Sequence, residues 1–306
     1  MNMHARFTQA VPDTAVRQPT VAGRFYPEDP EILRHDIREF LAHASPANIR
    51  GRLVALIAPH AGYAYSGGVA AHAYQLLQQH PAATLIVIAP SHFEKFPFVS
   101  VFNGRSYRTP LGELAVNRLL AEKLLQCEEV FVPAWKGHRD RGGRAEHALE
   151  VQLPFLQVIS PQCEIVPLVM GDQSWDLCEA LGNQLARLAV EATFVIVASS
   201  DLSHYHTQET AQQLDGRFMD LLTGQNAHAL YEAVARRQCE ACGAGPVIAT
   251  MLAAEQLRAR QVEVLRYETS GEVSGDFSRV VGYLAASFSQ ATHESACAKT
   301  SSFAAG

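Results

Sequence analysis

Two apolar β-type runs in this chain end alike, in an alanine, a proline and, at once or one residue later, a histidine. Residues 53–58 (LVALIA) lead into Pro59-His60-Ala61-Gly62-Tyr63, and residues 85–89 (LIVIA) lead into Pro90-Ser91-His92. Short β-branched runs bounded by turn residues read as buried parallel strands. In open α/β sheets the ligand crevice lies just beyond the carboxyl ends of such strands. His60 and His92 are therefore candidates for one shared site. A third run, 193–198 (TFVIVA), ends in Ser199-Ser200-Asp201-Leu202-Ser203-His204 and brings more polar side chains to the same rim. A lone histidine at a strand end is as often a hydrogen-bonded structural group; the recurrence one βαβ unit later favours a site.

Composition narrows the function classes. The chain has 306 residues, 48% of them hydrophobic, enough for one large α/β core or two ordinary ones. A net charge of −6 leaves no basic footprint for a phosphate backbone, so no nucleic-acid partner is expected. No apolar stretch approaches the ~18 residues that span a bilayer. The first twenty residues lack the apolar core of a secretory signal. A soluble cytoplasmic protein with no membrane partner is the expectation. The six cysteines, at 127, 163, 178, 239, 242 and 297, are scattered as reduced thiols would be. Cys163 and Cys178 read as small core residues, and Cys297 lies in a Ser/Ala/Thr-rich tail.

Residues 1–20 and 290–306 lack periodicity and read as flexible tails around a single domain, 21–289. Asp29-Pro30-Glu31 supplies an N-cap, an N1 proline and an acidic first turn, followed by the apolar face Ile32, Leu33, Ile37, Phe40 and Leu41. Strands at 53–58, 84–89, 98–102, 164–170 and 193–198 alternate with helices at 68–79, 115–125, 145–159 and 175–189. The fourth strand precedes the last of these helices. Pro154 is expected to kink the third. The stretch 135–144, rich in Gly and Arg, reads as loop. Helices at 208–222, 227–236 and from Pro246 precede late strands at 263–268 and 277–286, a pair that could be antiparallel at an edge. The order describes a three-layer α/β/α sandwich with a mainly parallel central sheet and right-handed crossovers.

Cys242 is the most suggestive thiol. It lies in Cys239-Glu240-Ala241-Cys242-Gly243-Ala244-Gly245-Pro246, just before a helix, where backbone amides favour a thiolate as metal ligand or nucleophile. A CxxC redox pair or zinc half-site with Cys239, and a structural role for both thiols, stay open. No second CxxC completes a zinc ribbon. Asp201 and His204 are three apart beyond an apolar strand, where a carboxylate could fix an imidazole tautomer. Glu146-His147 opens a helix with Glu150 one turn later, which a solvated first turn would also explain. His147, Asp201 and His204 are the candidates for acid/base or supporting work, with His206 a weaker one. The segment 62–68 (GYAYSGG) lacks the Walker lysine and the dinucleotide glycine spacing. There is no GxSxG elbow.

These residues resemble the Memo family, whose bacterial and archaeal members are labelled protein B of the AmmeMemoRadiSam system. The resemblance runs from Val21-Ala22-Gly23-Arg24-Phe25-Tyr26-Pro27 to Gly282-Tyr283. It is carried by 57–63 (IAPHAGY), Pro90-Ser91-His92, 107–111 (YRTPL), Glu146-His147 with Leu153-Pro154, Ser199-Ser200-Asp201, and Cys242-Gly243. It implies a fold like that of class III extradiol dioxygenases and a pocket whose metal ligands fall on His60, His92 and Cys242. Iron or copper is the implied metal, redox chemistry the implied activity, and radical-SAM and AMMECR-type proteins the implied partners. The dioxygenases carry a carboxylate where this chain has Cys242, which shifts preference toward softer metals.

Three functions compete. The first is a metal-dependent oxidoreductase with His147, Asp201 and His204 assisting. The second is an adaptor that uses the pocket, rimmed by Tyr63, Tyr65, Phe93 and Phe96, for a peptide or partner. The third is a cysteine-nucleophile hydrolase built on Cys242.

Overall fold

The structure is a computed structural model and describes residues 11–45, 49, 51–141 and 144–291. In chain order the elements are β1 (Val16–Arg17), α1 (Pro30–His43), β2 (Arg52–Ala58), α2 (Tyr63–Gln79), β3 (Thr84–Pro90), β4 (Val99–Val101), β5 (Ser106–Thr109) and β6 (Gly112–Ala115). There follow α3 (Arg118–Leu125), β7 (Phe131–Pro133), β8 (Asp140–Arg141), β9 (Arg144–Ala145), α4 (Leu153–Ile159), β10 (Glu164–Met170), α5 (Trp175–Glu191), β11 (Val195–Ser199) and β12 (Asp201–His206). The chain closes with α6 (Gln208–Thr223), α7 (Ala227–Ala235), α8 (Ala244–Gln256), β13 (Gln261–Thr269), α9 (Gly271–Ser274) and β14 (Val280–Gln290).

The main sheet runs β12-β14-β2-β11-β3-β10-β4-β7, with β13 along the other edge of β14. Four central strands, β2, β11, β3 and β10, are parallel; β4 and β14 flank them antiparallel. The parallel core is thus narrower than the alternation of elements suggests. Alternate side chains explain the layers: Leu56, Leu85 and Val87 face a core shared with α1, α2 and α4. Ile57, Ile86 and Ile88 face a second core shared with α3, α5, α6, α7 and α8. Strands buried on both faces must be apolar throughout, which is why these runs show no alternation. Each such Leu or Ile removed from water contributes about 1.5–3 kcal/mol.

Several elements differ from the sequence reading. Helix α2 starts at Tyr63, five residues before the expected Gly68, so the 62–68 glycines form no phosphate loop. Gly67 instead lets α1 approach, since a Cβ there would lie 2.7 Å from the Phe40 ring. Residues 145–159 are not one helix: Glu146 and His147 precede a short 3-10 turn, Glu150–Gln152, and Pro154 sits in the first turn of α4 rather than kinking it. Ile32 is 55% exposed, while Leu33, Ile37 and Leu41 of the same helix are buried. The late strand β14 is interior, and only β13 lies at the edge.

The second half of the expected N-terminal tail is built into the molecule. Val16–Arg17 pairs with β5, and Arg17 is buried against Glu150. The Glu150 carboxylate also accepts the Thr20 and Val21 amides, the Thr20 hydroxyl and the Tyr26 hydroxyl. A buried charge without such partners would cost several kcal/mol, so the acid and the segment order each other. Residues 1–10, and the C-terminal 292–306 with Cys297, lie outside the described residues.

Two glycines make opposite predictions. A Cβ at Gly282 would fall inside van der Waals contact with Asp215, whose carboxylate is fixed by the Ser203 amide and the Tyr267 hydroxyl. Gly68 is an exposed position inside α2 with nothing within 4 Å of such an atom. Gly282→Ala should lower stability by about 1–3 kcal/mol, and Gly68→Ala should raise it by ~0.5–1 kcal/mol. Urea unfolding of both variants checks the pair; equal shifts would contradict the packing.

Candidate metal centre

Because β2, β11 and β3 are parallel neighbours, their carboxyl ends meet at one rim. His60 follows β2, His92 follows β3, and Ser199 ends β11 between them, in register with Ala58. Cys242 arrives from the loop before α8. One ligand atom each from His60, His92 and Cys242 lie within 4.8 Å of one another, and Cys242 Sγ is 3.1 Å from His60 Nε2. Donors bound to one ion at about 2.0–2.3 Å would sit roughly 3.3–3.8 Å apart. The two imidazoles and the sulfur could therefore close on a single ion with adjustments of up to about 1 Å. His147 completes a ring of imidazoles, 4.8 Å from His92 in a near-parallel stack and 5.5 Å from His60.

The hydrogen bonds around the imidazoles settle their tautomers. The Ser199 hydroxyl donates to Ala148 O (2.6 Å) and accepts from Gln152 Nε2 (2.7 Å). Its remaining lone pair faces His60 Nδ1 at 2.8 Å, so Nδ1 must carry the proton and Nε2 is left bare toward Cys242. Gln152 is oriented in turn by Pro59 O and the Tyr74 hydroxyl. His92 Nδ1 donates to Glu146 Oε1 (3.0 Å), which leaves its Nε2 free as well. Glu146 also accepts the backbone amides of His92, His147 and Ala148. That saturation makes it an orienting carboxylate, although it lies close enough to His92 and His147 to form a second potential ligand group.

Electrostatics follow from burial. Burial, followed by the charges of His92, His147 and His204, holds His60 well below the usual imidazole range. Burial also opposes charge on His92, but the hydrogen bond and charge of Glu146 outweigh it and raise its proton affinity. Glu146 responds in kind: burial works against its charge, yet His92 pulls it below the ordinary carboxylate value. Burial, with the Asp201 charge adding, pushes the Cys242 thiol well above its ordinary value. The sulfur lies 3.1 Å from the bare His60 Nε2 and 3.6 Å from Asp201 O, either of which can take the thiol proton's hydrogen bond. Burial thus works against the expected thiolate-favouring effect of the α8 terminus.

The other expected residues divide. Asp201 is at the centre, but its carboxylate accepts the His60 amide (2.7 Å) and no bond joins it to His204. It fixes the loop that carries a ligand; burial raises its pKa. His204 lies farther out, with its ring 5.8 Å from Tyr205, and His206 pairs with Glu240 at 3.0 Å. Cys239 is buried in the core and is not in the ligand cluster, so the CxxC pairing is not made. Of the expected aromatic rim, Tyr63 and Phe96 are buried, whereas Tyr65 and Phe93 are exposed. Ser199, Gln152 and the orienting role of Glu146 escaped the sequence reading. Gln173, whose amide holds Cys242 O and Gly245 N, also escaped it. Ser199 alone had a signal, as the first polar residue after an apolar run. Beside His92 opens a cavity of about 610 Å³, lined in part by Phe93, Lys95, Asp172 and Gln173.

A family model described as "Memo-like protein" matches residues 17–287. The chain belongs to the Memo-like family. It is 35% identical over 285 residues to a "MEMO1 family protein" of Methanobrevibacter smithii, covering 89% of this chain and 99% of that one. A second such protein, from Methanothermobacter thermautotrophicus, is 36% identical over 277 residues, covering 88% and 98%. Among solved structures, an uncharacterized protein of Escherichia coli K12 aligns with a TM-score of 0.50 at 16% identity, covering 76% of this chain and 99% of that one. That likeness supports the α/β fold of this Memo-like chain. No described helix is long and apolar enough to cross a membrane.

The Glu146–His92 pair makes a pH prediction for the metal-free protein. Glu146, with its pKa lowered by folding, contributes stability that is present above about pH 4.3 and lost as pH falls through its folded value. His92, with its pKa raised, contributes stability that is full below about pH 6.5 and lost as pH rises through its folded value. The pair should stabilise most between those limits. In Glu146→Gln, the pKa of His92 should fall from its raised value, because only the charge of Asp201 then opposes burial. NMR titration of the ring checks this, and an unchanged His92 would remove Glu146 from the role.

Proposed function

We propose that this chain holds one redox-active iron or copper ion through His60 Nε2, His92 Nε2 and Cys242 Sγ, and that it acts as a metal-dependent oxidoreductase on a small molecule. The observation that carries the reading is the convergence of two imidazole nitrogens and one sulfur from three separate elements, with both tautomers set to leave the inward nitrogens bare. When bound, such an ion supplies an open coordination position and a one-electron couple.

The residues have separable tasks. Ser199 and Glu146 aim the two imidazoles and raise their donor strength, as oxygen partners of ligating histidines do. The Cys242 thiol gives up its proton on binding, and the Asp201 amide, 3.3 Å from Sγ, then stabilises the sulfur's charge. His147 stacks on His92 beside the open face and is placed to hold or move a proton there. Asp201 positions the His60 loop. A thiolate in place of the dioxygenase carboxylate favours a softer ion and supports redox cycling over the extradiol reaction. The cavity beside His92 has the size of a small-molecule site, which favours a substrate over an adaptor's peptide. The radical-SAM and AMMECR-type partners implied by the family resemblance would place this step in a multi-protein pathway.

Elemental analysis of protein purified without added metal should find near-stoichiometric iron or copper in the wild type. His60→Ala and Cys242→Ala should retain at least about tenfold less, and Glu146→Gln should bind roughly 10–100-fold more weakly. Potentiometric titration should then show a reversible one-electron couple. Equal, negligible metal in every variant would overturn the centre; zinc with no couple would overturn the oxidoreductase reading alone.

A further inference from the structure

The loop that carries Cys242 is anchored from another strand end, by a residue outside the ligand group. Gln173 follows β10, and its carboxamide bridges two points of that loop. Nε2 donates to Cys242 O at 2.9 Å, and Oε1 accepts from Gly245 N at 2.6 Å. The Gly245 N–H can only donate and the Cys242 carbonyl can only accept, so one orientation of the carboxamide satisfies both. A carbonyl and an amide three residues apart are the pair that a β-turn joins directly. Here both are bonded to Gln173. Gly245 also lies in the first turn of α8, whose N-cap, Gly243, supplies no side-chain hydrogen bond. Gln173 Oε1 therefore takes one of the amides that a helix start leaves without a partner.

The fit is close on both sides. A Cβ at Gly245 would lie 2.8 Å from Gln173 Cβ, so the loop makes this approach only as glycine. Gln173 is itself held through its backbone: its N–H donates to Asp172 Oδ1 at 2.9 Å, and its carbonyl faces Cys178 Sγ at 3.7 Å. The Cys242–Gly243 peptide is thereby gripped at both ends, its carbonyl by Gln173 and its N–H by Ser200 Oγ at 3.0 Å. Gln173 also lines the cavity beside His92, as His92 does. The cavity wall and the loop that presents the sulfur therefore share one fixed residue.

We propose that Gln173 is the positioning residue of the Cys242 sulfur, with two separable tasks. Oε1 caps α8, and Nε2 holds the Cys242 carbonyl and so sets where Sγ stands relative to the two imidazoles. This rests on the metal-centre reading only in treating the sulfur as a ligand; the anchoring stands on protein contacts alone. Loss of the Nε2 contact frees the Cys242–Gly243 peptide plane to turn about its remaining bond to Ser200, and the sulfur moves with it.

The test compares Gln173→Met, which keeps nearly the same volume and removes both hydrogen bonds, with Gln173→Glu, which keeps the acceptor and replaces the donor by a second oxygen. Amide hydrogen exchange is followed by NMR in the full-length, metal-free protein at neutral pH. In Gln173→Met the Gly245 and Cys242 amides should both exchange about three- to tenfold faster than in wild type, the scale of one lost hydrogen bond. In Gln173→Glu the Gly245 amide should stay protected, because a carboxylate is favoured at a helix start. The Cys242 amide of the same variant should still exchange about three- to tenfold faster. A mere loss of packing would move the two amides together. Each protein is then titrated with cobalt(II), and the thiolate-to-cobalt charge-transfer absorption is read. Wild type should show that band, and both variants should bind cobalt about tenfold more weakly, as happens when a ligand's orienting partner is lost. Absence of the band in wild type would overturn the metal-centre reading and leave the exchange rates to decide the anchoring. Wild-type exchange at both amides in Gln173→Met, parallel changes at the two in Gln173→Glu, or wild-type cobalt affinity in Gln173→Glu would overturn the proposal.

Discussion

The Ser199 hydroxyl is the contact on which the centre depends. It stands at the end of β11, the strand between the two that deliver His60 and His92, and it is committed three ways: to Ala148 O, Gln152 Nε2 and His60 Nδ1. Because a hydroxyl has one proton and two lone pairs, spending the proton on a carbonyl leaves only acceptor capacity for the imidazole. The His60 tautomer is therefore decided by a carbonyl on a different segment, and that segment also bears Glu146, which decides His92. One loop, 146–152, sets both ligands.

The same loop is tied to the chain's beginning. Arg17 donates to Glu146 O and His138 O while its charge meets Glu150. Removing either charge would leave the other buried without a partner, a larger loss than the pair's own net contribution. The N-terminal strand thus supports a site it never touches. The Memo-like fold holds its ligands on a rigid parallel sheet and assigns their orientation to this clamped loop.

How much could be read from residues alone follows from the range of the interactions. The strands that carry His60 and His92 were legible because two-sided burial leaves an uninterrupted apolar run, and the N-cap at Asp29 because capping is local. Cys242 stood out by its position before α8, but its raised proton affinity depends on tertiary burial that no spacing encodes. Glu150 looked like an exposed first-turn acid, since its partners Arg17 and Tyr26 lie more than 120 residues away. The Asp201–His204 pairing was plausible at three residues' separation in a loop. It failed because the segment is a strand, in which Asp201 turns toward the β2 loop to take the His60 amide.

Cys242, the third candidate ligand, is fixed mainly through its backbone, beside the contact of its sulfur with His60 Nε2. Its amide donates to Asp201 O at 3.2 Å, its carbonyl accepts from Gln173, and the next residue, Gly243, donates to Ser200 Oγ at 3.0 Å. A Cβ at Gly243 would lie 2.7 Å from Ser200 Cβ, so only glycine lets this loop press against the end of β11. The sulfur is thus held by backbone on both sides, in contact with the strand that positions His60. Binding of the proposed ion would then require loss of the thiol proton and shifts of up to about 1 Å. Such preorganisation would suit the proposed ion, since the ligands would need to move little on binding it.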